Sequence, residues 1–302
     1  MNCYALISGY VGVQGRHRLS NLIMLWLQVV FYNVIFTVLS QLHHHGTIGE
    51  KGILRALFPV STRAYWYFTA YVGLFLLLPL INMAIRELKK EQLKQIVIGM
   101  IILFSLIPTI ANEDVFGISG GFHLLWLMIL YIIGAYIGKY SLFEKRSKWV
   151  WLIVYAISVL VAWGSTILNQ YLDAHGGQQG IYSIELVSYT SPAIFLAAIA
   201  LLMFFAKLKI GEKAAKGIRL ISPLTFGVFL IHENYFVREQ VILNRLADSV
   251  HLPVYELVFK VIALAGTIYI VCILIEFLRS MLFKWLRIRK VVDRVCARIE
   301  GE

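Results

Sequence analysis

The sequence predicts an all-α fold, a polytopic membrane helix bundle of about nine transmembrane helices, with the N-terminus outside and the C-terminus in the cytoplasm. Three observations predict it. Of the 302 residues, 59% are hydrophobic and only 15% charged, and mean hydropathy is +0.75, whereas soluble domains carry about 25% charged residues. Runs free of Asp, Glu, Lys and Arg recur along the chain. In lipid such runs must be helical, because the backbone finds no outside hydrogen-bond partner. The segments joining them alternate between rich and poor in basic residues, as loops on opposite sides of a membrane do.

Taken in order, the runs are Met1–Gly15, Leu19–Ser40, Ala64–Ile85, Ile96–Asn112, Val115–Gly138, Trp149–Leu168, Leu186–Phe205, Leu220–Val237 and Val261–Ile275. The first is short; most of the others have the length that crosses a hydrocarbon core of about 30 Å. Pro79 is expected to kink the third, with Asn82 a polar group following it. Tyr65, Trp66 and Tyr67 at the start of that run, and Trp149 and Trp151 at the sixth, read as interfacial aromatic belts. Glu233 is the only full charge in the eighth run. Lys260 and Glu276 bracket the ninth and are expected to snorkel to opposite interfaces. Glu276 and Arg279, at i and i+3, read as a structural ion pair.

Twenty-two of the 28 basic residues fall in one set of segments: beside Arg16, over 86–94, 139–148 and 207–219, and from Arg279 onward. The other set holds only Lys51, Arg55, Arg63, Arg238, Arg245 and Lys260. Counting acidic residues as well, the predicted inner face carries +14 and the outer −3, which together make the net +11. A basic inner face suits anionic lipid headgroups and a negatively charged cytosolic ligand; its plainer role is to set topology. Nucleic acid, the usual reading of such a charge in a soluble protein, is not an expected partner.

No Gly/Ser linker, inverted repeat or low-complexity tract divides the chain, so residues 1–302 read as a single membrane domain whose end, 279–302, is a basic cytoplasmic tail. Cys3, Cys272 and Cys296 make neither a disulfide framework nor a metal knuckle. No cleavable signal peptide is expected. Phosphate-cradling glycine loops, nucleophile elbows and zincin motifs do not occur in the sequence.

Seven of the eight histidines fall on the predicted outer side or at an outer helix end: His43, His44, His45, His123, His175, His232 and His251. Histidine is the usual general base near neutral pH, although it is also tolerated at interfaces and in loops. His232 stands apart, because with Glu233 it forms an ionisable pair at membrane depth, where burying charge costs about 2.5–3.5 kcal/mol on insertion scales. Neighbouring residues on a helix point about 100° apart, so the two are not expected simply to pair. His232 fits either activation of a hydroxyl or a buried helix contact. His43-His44-His45 is poor evidence for a metal, since three consecutive side chains cannot all face one ion; no metal is expected. Arg16-His17-Arg18 is a basic turn that suits phosphates or simple anchoring. Arg63, at the outer end of the third run, suits an anionic acceptor or an anchor.

Four strings in order resemble the acyltransferase 3 family of integral-membrane acyltransferases. The strings are Asn2-Cys3-Tyr4-Ala5-Leu6-Ile7-Ser8-Gly9-Tyr10; Tyr65 to Leu74 running on to Pro79-Leu80-Ile81-Asn82; Leu130 to Tyr136; and Thr225 to His232. The likeness spans essentially the whole chain and is nearest to polysaccharide and common-antigen O-acetyltransferases. It implies a multi-pass protein of the cell membrane that moves an acyl group, taken as acetyl, from cytosolic acetyl-CoA or a related acyl-CoA to a hydroxyl of an extracytoplasmic polysaccharide or lipid-linked glycan. The donor is a substrate, and no bound cofactor is implied. Ser8 and Gly9 match the family's Ser-Gly motif and, with Arg16 and Arg18, are the expected donor-binding residues; the family's Arg-x-x-Arg is here Arg-x-Arg. His232 and Glu233 are the expected catalytic residues, and Arg63 and His123 the expected acceptor side. Family members have one more helix at the start, carrying an Arg and a His that is critical for transfer. The chain is read as beginning at the family's second helix. The missing helix leaves an inactive truncated homologue open as an alternative, and the resemblance itself leaves a second, an exporter or flippase of an acylated glycan.

Overall fold

The computed structural model describes residues 1–13, 15, 18–43, 50–175 and 186–300. Arg16, His17, His44, His45 and the Gly/Gln-rich segment 176–185 lie outside them. Among the described residues every regular element is helical. The principal helices are α1 (Asn2–Gly12), α2 (Leu19–His43), α3 (Glu50–Leu57), α4 (Trp66–Glu87), α5 (Lys90–Ala111) and α6 (Leu124–Lys139). They continue with α7 (Lys148–Ala174), α8 (Pro192–Ala206), α9 (Glu212–His232), α10 (Val254–Trp285) and α11 (Ile288–Glu300). Six of these, α2, α4, α5, α7, α9 and α10, are long and apolar enough to cross a membrane. α6 and α8 are apolar but have only 16 and 15 residues, and α1 has 11.

Two of the three short helices, α6 and α8, have local causes. The fifth run was expected to be helical from Val115. Instead the Asp114 carboxylate accepts from the backbone N–H of Ile118 (2.8 Å) and Ser119 (2.7 Å). Gly117, Gly120 and Gly121 then take positive φ, so the chain turns and α6 begins only after His123. The seventh run starts as a turn in which Ser191 Oγ donates to Leu186 O (2.7 Å) and accepts from the N–H of Ile194, with Pro192 at the first helical position. Further differences lengthen or shift elements. α10 runs from Val254 to Trp285 and takes in both Lys260 and Glu276. α9 starts eight residues earlier than the eighth run and stops at His232. α5 contains a π turn over Ile102–Leu106, whose buried Ser105 donates to Thr190 O at 2.6 Å.

The chain clusters into two compact units. One is Met1–His17 with Trp66–Lys209; the other is Arg18–Tyr65 with Ile210–Glu302. In the first, α6 is central and buried on every side, from Trp126 to Ile137. It packs against α1 through glycines: a Cβ on Gly134 would fall on the Leu6 carbonyl, one on Gly138 on that of Tyr10, and one on Gly9 on that of Tyr131. Gly134 and Gly138 form the G-x-x-x-G spacing that lets membrane helices approach backbone to backbone. Buried Asn2 ties this pair to its surroundings, donating to Tyr189 O (2.8 Å) and accepting from Trp126 Nε1 (3.1 Å). Tyr131 donates to Asn82 Oδ1 on α4, one turn after Pro79 (2.8 Å). Lys139 Nζ donates to the carbonyl of Ile85 (2.6 Å) at the C-terminal end of α4, where a cation and spare carbonyls suit each other.

In the second unit, α2, α9 and α10 pack around a buried charge. Glu276 is 0% exposed. It accepts two hydrogen bonds from Arg279, 2.6 and 2.9 Å, and one from the Tyr32 hydroxyl of α2, 2.7 Å. Gly227 of α9 lies against the same carboxylate with no room for a Cβ. The ion pair of the sequence reading is present, but Glu276 does not snorkel to an interface. A carboxylate with three donors inside the protein has no need to reach water.

Candidate functional site

His232 is the last residue of α9. Its Nδ1 lies 2.6 Å from the Val228 carbonyl one turn earlier. A carbonyl only accepts, so Nδ1 carries the proton, and in the neutral ring Nε2 keeps its lone pair. Nε2 sits 3.6 Å from Glu233 Oε1. The two were not expected to pair, on the assumption of a continuing helix. Glu233, the C-cap, still has right-handed helical backbone (φ −83°, ψ −6°), and its carboxylate nonetheless lies beside the ring. Both side chains are partly open, 37% and 40% exposed.

The turn after the pair is held in place. Asn234 Oδ1 accepts from the N–H of Phe236 (3.0 Å), and its Nδ2 donates to the Tyr65 hydroxyl (2.9 Å). Tyr65 in turn donates to Leu230 O of α9 (2.9 Å). Tyr65 precedes the first residue of α4, and burial pushes its phenol up to about 12, so it keeps the proton that it donates. Asn234, Tyr235 and Phe236 form one wall of a cavity of about 210 Å³. The other wall comes from α2 and is mostly polar: Asn33, Thr37, Ser40 and Gln41, with Phe36 among them. An imidazole whose Nε2 keeps its lone pair beside a carboxylate can act as a general base, and the cavity wall begins two residues further on, at Asn234.

The other expected site residues are scattered. Ser8 Oγ donates back to Tyr4 O (2.8 Å), and Gly9 is buried in the α1–α6 contact. Arg18 is exposed directly before α2, its carbonyl accepting from the N–H of Asn21 (3.0 Å). Arg16 lies outside the described residues. Arg63 is an exposed turn residue with φ 51°. His123 caps α6, its Nδ1 accepting from the N–H of Leu125 (3.2 Å). Of the triple histidine, His43 is described, its ring 5.8 Å from that of Phe236.

Two features of the first unit escaped the sequence. A cavity of about 440 Å³ is lined by Gly15, Pro79, Asn82, Met83, Arg86 and Glu87. Arg86 bridges the ends of α4 and α1 by donating to Val13 O (2.8 Å). A second cavity, about 170 Å³, is lined by polar groups that include Thr109, Asn112, Ser188 and Thr190. Tyr189 lies between the last two and packs with Phe122 (5.1 Å) and Trp66 (6.4 Å). Each joins residues from distant runs, so no local spacing signals it.

No curated protein and no solved structure matches the chain. The family described as an acyltransferase domain, acyltransferase 3, matches residues 1–277 of the 302. The chain, a multi-pass helical membrane protein, therefore belongs to the acyltransferase 3 family.

Proposed function

We propose that this membrane acyltransferase carries an acetyl or related acyl group from a cytosolic acyl-CoA to a hydroxyl of an extracytoplasmic polysaccharide or lipid-linked glycan, in the cell membrane. Within a family of acyltransferases, the observation that carries the reading is His232, whose Nδ1–H is spent on Val228 O while Nε2 keeps its lone pair 3.6 Å from the Glu233 carboxylate, two residues before the wall of a cavity that begins at Asn234. In the proposed reaction Nε2 takes the proton of the acceptor hydroxyl as its oxygen adds to the thioester carbonyl. Collapse of the tetrahedral adduct breaks the C–S bond, and the imidazolium returns the proton to the departing thiolate. Glu233, 3.6 Å away, stabilises the imidazolium while it exists. The polar walls of the cavity, with their amide and hydroxyl groups, suit a sugar. Arg16 and Arg18, together with Ser8 and Gly9, are assigned to the donor, and Arg63 and His123 to the acceptor side.

Labelled acetyl-CoA supplied to inverted membrane vesicles tests the proposal. Label should enter the glycan, and His232→Ala should slow its entry by about 10²–10⁴-fold, the usual range for a lost general base, with an unchanged melting temperature. Undiminished transfer by His232→Ala sinks the assignment of the base. Glycan movement across the vesicle membrane without acylation would favour the translocator reading.

A further inference from the structure

We propose that α11 is an interfacial helix that docks on an anionic lipid leaflet. The family match ends at residue 277, so this helix, Ile288–Glu300, lies beyond the matched residues. Its level relative to a bilayer follows from its two neighbours in the second unit. α10 has 32 residues, about 48 Å at 1.5 Å per residue, which exceeds a hydrocarbon core of about 30 Å. Its last turns therefore emerge into the headgroup region. It ends on Trp285, 79% exposed, a residue that favours that zone. Arg287 then takes φ 54°, breaking the helix, and α11 starts at the next residue. α11 is fastened to the beginning of α2, another spanning helix: Arg289 Nη2 donates to Asn21 Oδ1 at 2.8 Å, and Val292 and Cys296 are buried.

The rest of the apolar face is uncovered. Val291, Val295 and Ile299, at i, i+4 and i+8, are 55%, 48% and 65% exposed and form one strip along the helix. At 100° per residue the strip is edged by Arg298 and Arg294, with Lys290 beyond them. These three basic groups make no hydrogen bond or ion pair among the described residues, whereas Asp293, on the far side, is held by Arg289 at 3.2 Å. An apolar strip bordered by free cations matches a leaflet whose acyl boundary receives the strip and whose phosphates meet the guanidinium groups. A protein partner would need an acidic rim around an apolar groove. The level of α11, at the end of one spanning helix and the start of another, places lipid there without one.

Photocrosslinking of the full chain in nanodiscs of equal phosphatidylglycerol and phosphatidylcholine tests the docking. Val295→p-benzoylphenylalanine should give lipid adducts, and the same replacement at Asp293 should give few. The Val295 adducts should favour the anionic lipid about fivefold, the bias that one basic residue near a charged surface supports. Arg294→Gln with Arg298→Gln should bring that ratio to about one, with no change in melting temperature. Absence of lipid adducts at Val295, or adducts in native membrane vesicles that are mainly to protein, overturns the docking. Adducts in the bulk lipid ratio overturn its anionic character.

Discussion

The α1–α6 contact of the first unit and the α9–α10 contact of the second both depend on a glycine, for opposite reasons. In the first, Gly9, Gly134 and Gly138 bring two backbones together, and the partner atoms are carbonyls of the facing helix. The atoms nearest to these glycines are uncharged backbone; the contact is dispersion and close packing, the means of association that lipid leaves to helices. In the second, Gly227 makes room for the carboxylate of Glu276, which Arg279 and Tyr32 satisfy. Arg279 lies in turn over the ring of Phe283, 4.4 Å from its centroid. One glycine closes a gap, and the other opens space for a charge. The lesson is that a small residue in a membrane helix does not by itself say which kind of contact it makes.

The largest effect is expected where a charge loses its partner. Glu276→Ala leaves the Arg279 guanidinium buried and uncompensated and should cost about 3–5 kcal/mol, read as a fall in melting temperature in detergent. Adding Arg279→Met to Glu276→Met should recover most of that loss. If Glu276→Ala melts like the parent, the second contact is not electrostatic and the contrast collapses. Next comes Gly134→Ala, whose methyl meets the Leu6 backbone rather than a flexible side chain; it should cost about 1–3 kcal/mol by overpacking. A neutral result would mean that α1 can slide away from α6. Tyr32→Phe removes one hydrogen bond to a carboxylate that keeps Arg279 and should cost about 1.5 kcal/mol, with activity as the independent readout of whether the site is disturbed. Smallest is the control in α7. A Cβ on Gly164 meets nothing within 4 Å, so Gly164→Ala should stabilise by about 0.5–1 kcal/mol, and destabilisation there would show that an unseen neighbour covers this face.

Much of the fold was legible because lipid makes apolar length decisive. The runs at Leu19, Ala64, Trp149 and Val261 became long helices, within a few residues or with extensions. What failed was the assumption that an uncharged run is one helix. Val115–Phe122 is apolar and glycine-rich, and Asp114, just outside the run, captures its amides. The candidate site was legible in part. His232 was singled out from an ionisable pair at membrane depth, but the 3.6 Å approach of Glu233 to its ring was not expected from adjacent positions on a helix. The i,i+3 spacing disclosed Glu276 and Arg279, whereas Tyr32 is 244 residues away from Glu276 and nothing near either residue announces the other.

By itself the sequence determined that the chain is helical and membrane-bound and that its four ordered strings belong to an acyltransferase family. These properties rest on composition and local order, which a linear reading can measure. Tertiary structure alone decided that Gly9 faces a carbonyl of α6 and Gly227 a carboxylate of α10, that α2 supplies the polar wall beside the turn after His232, and that half of the apolar face of α11 is left uncovered. The physical reason is the same in each case. A side chain's chemistry is set by the atoms it meets, and those atoms come from helices far away in sequence.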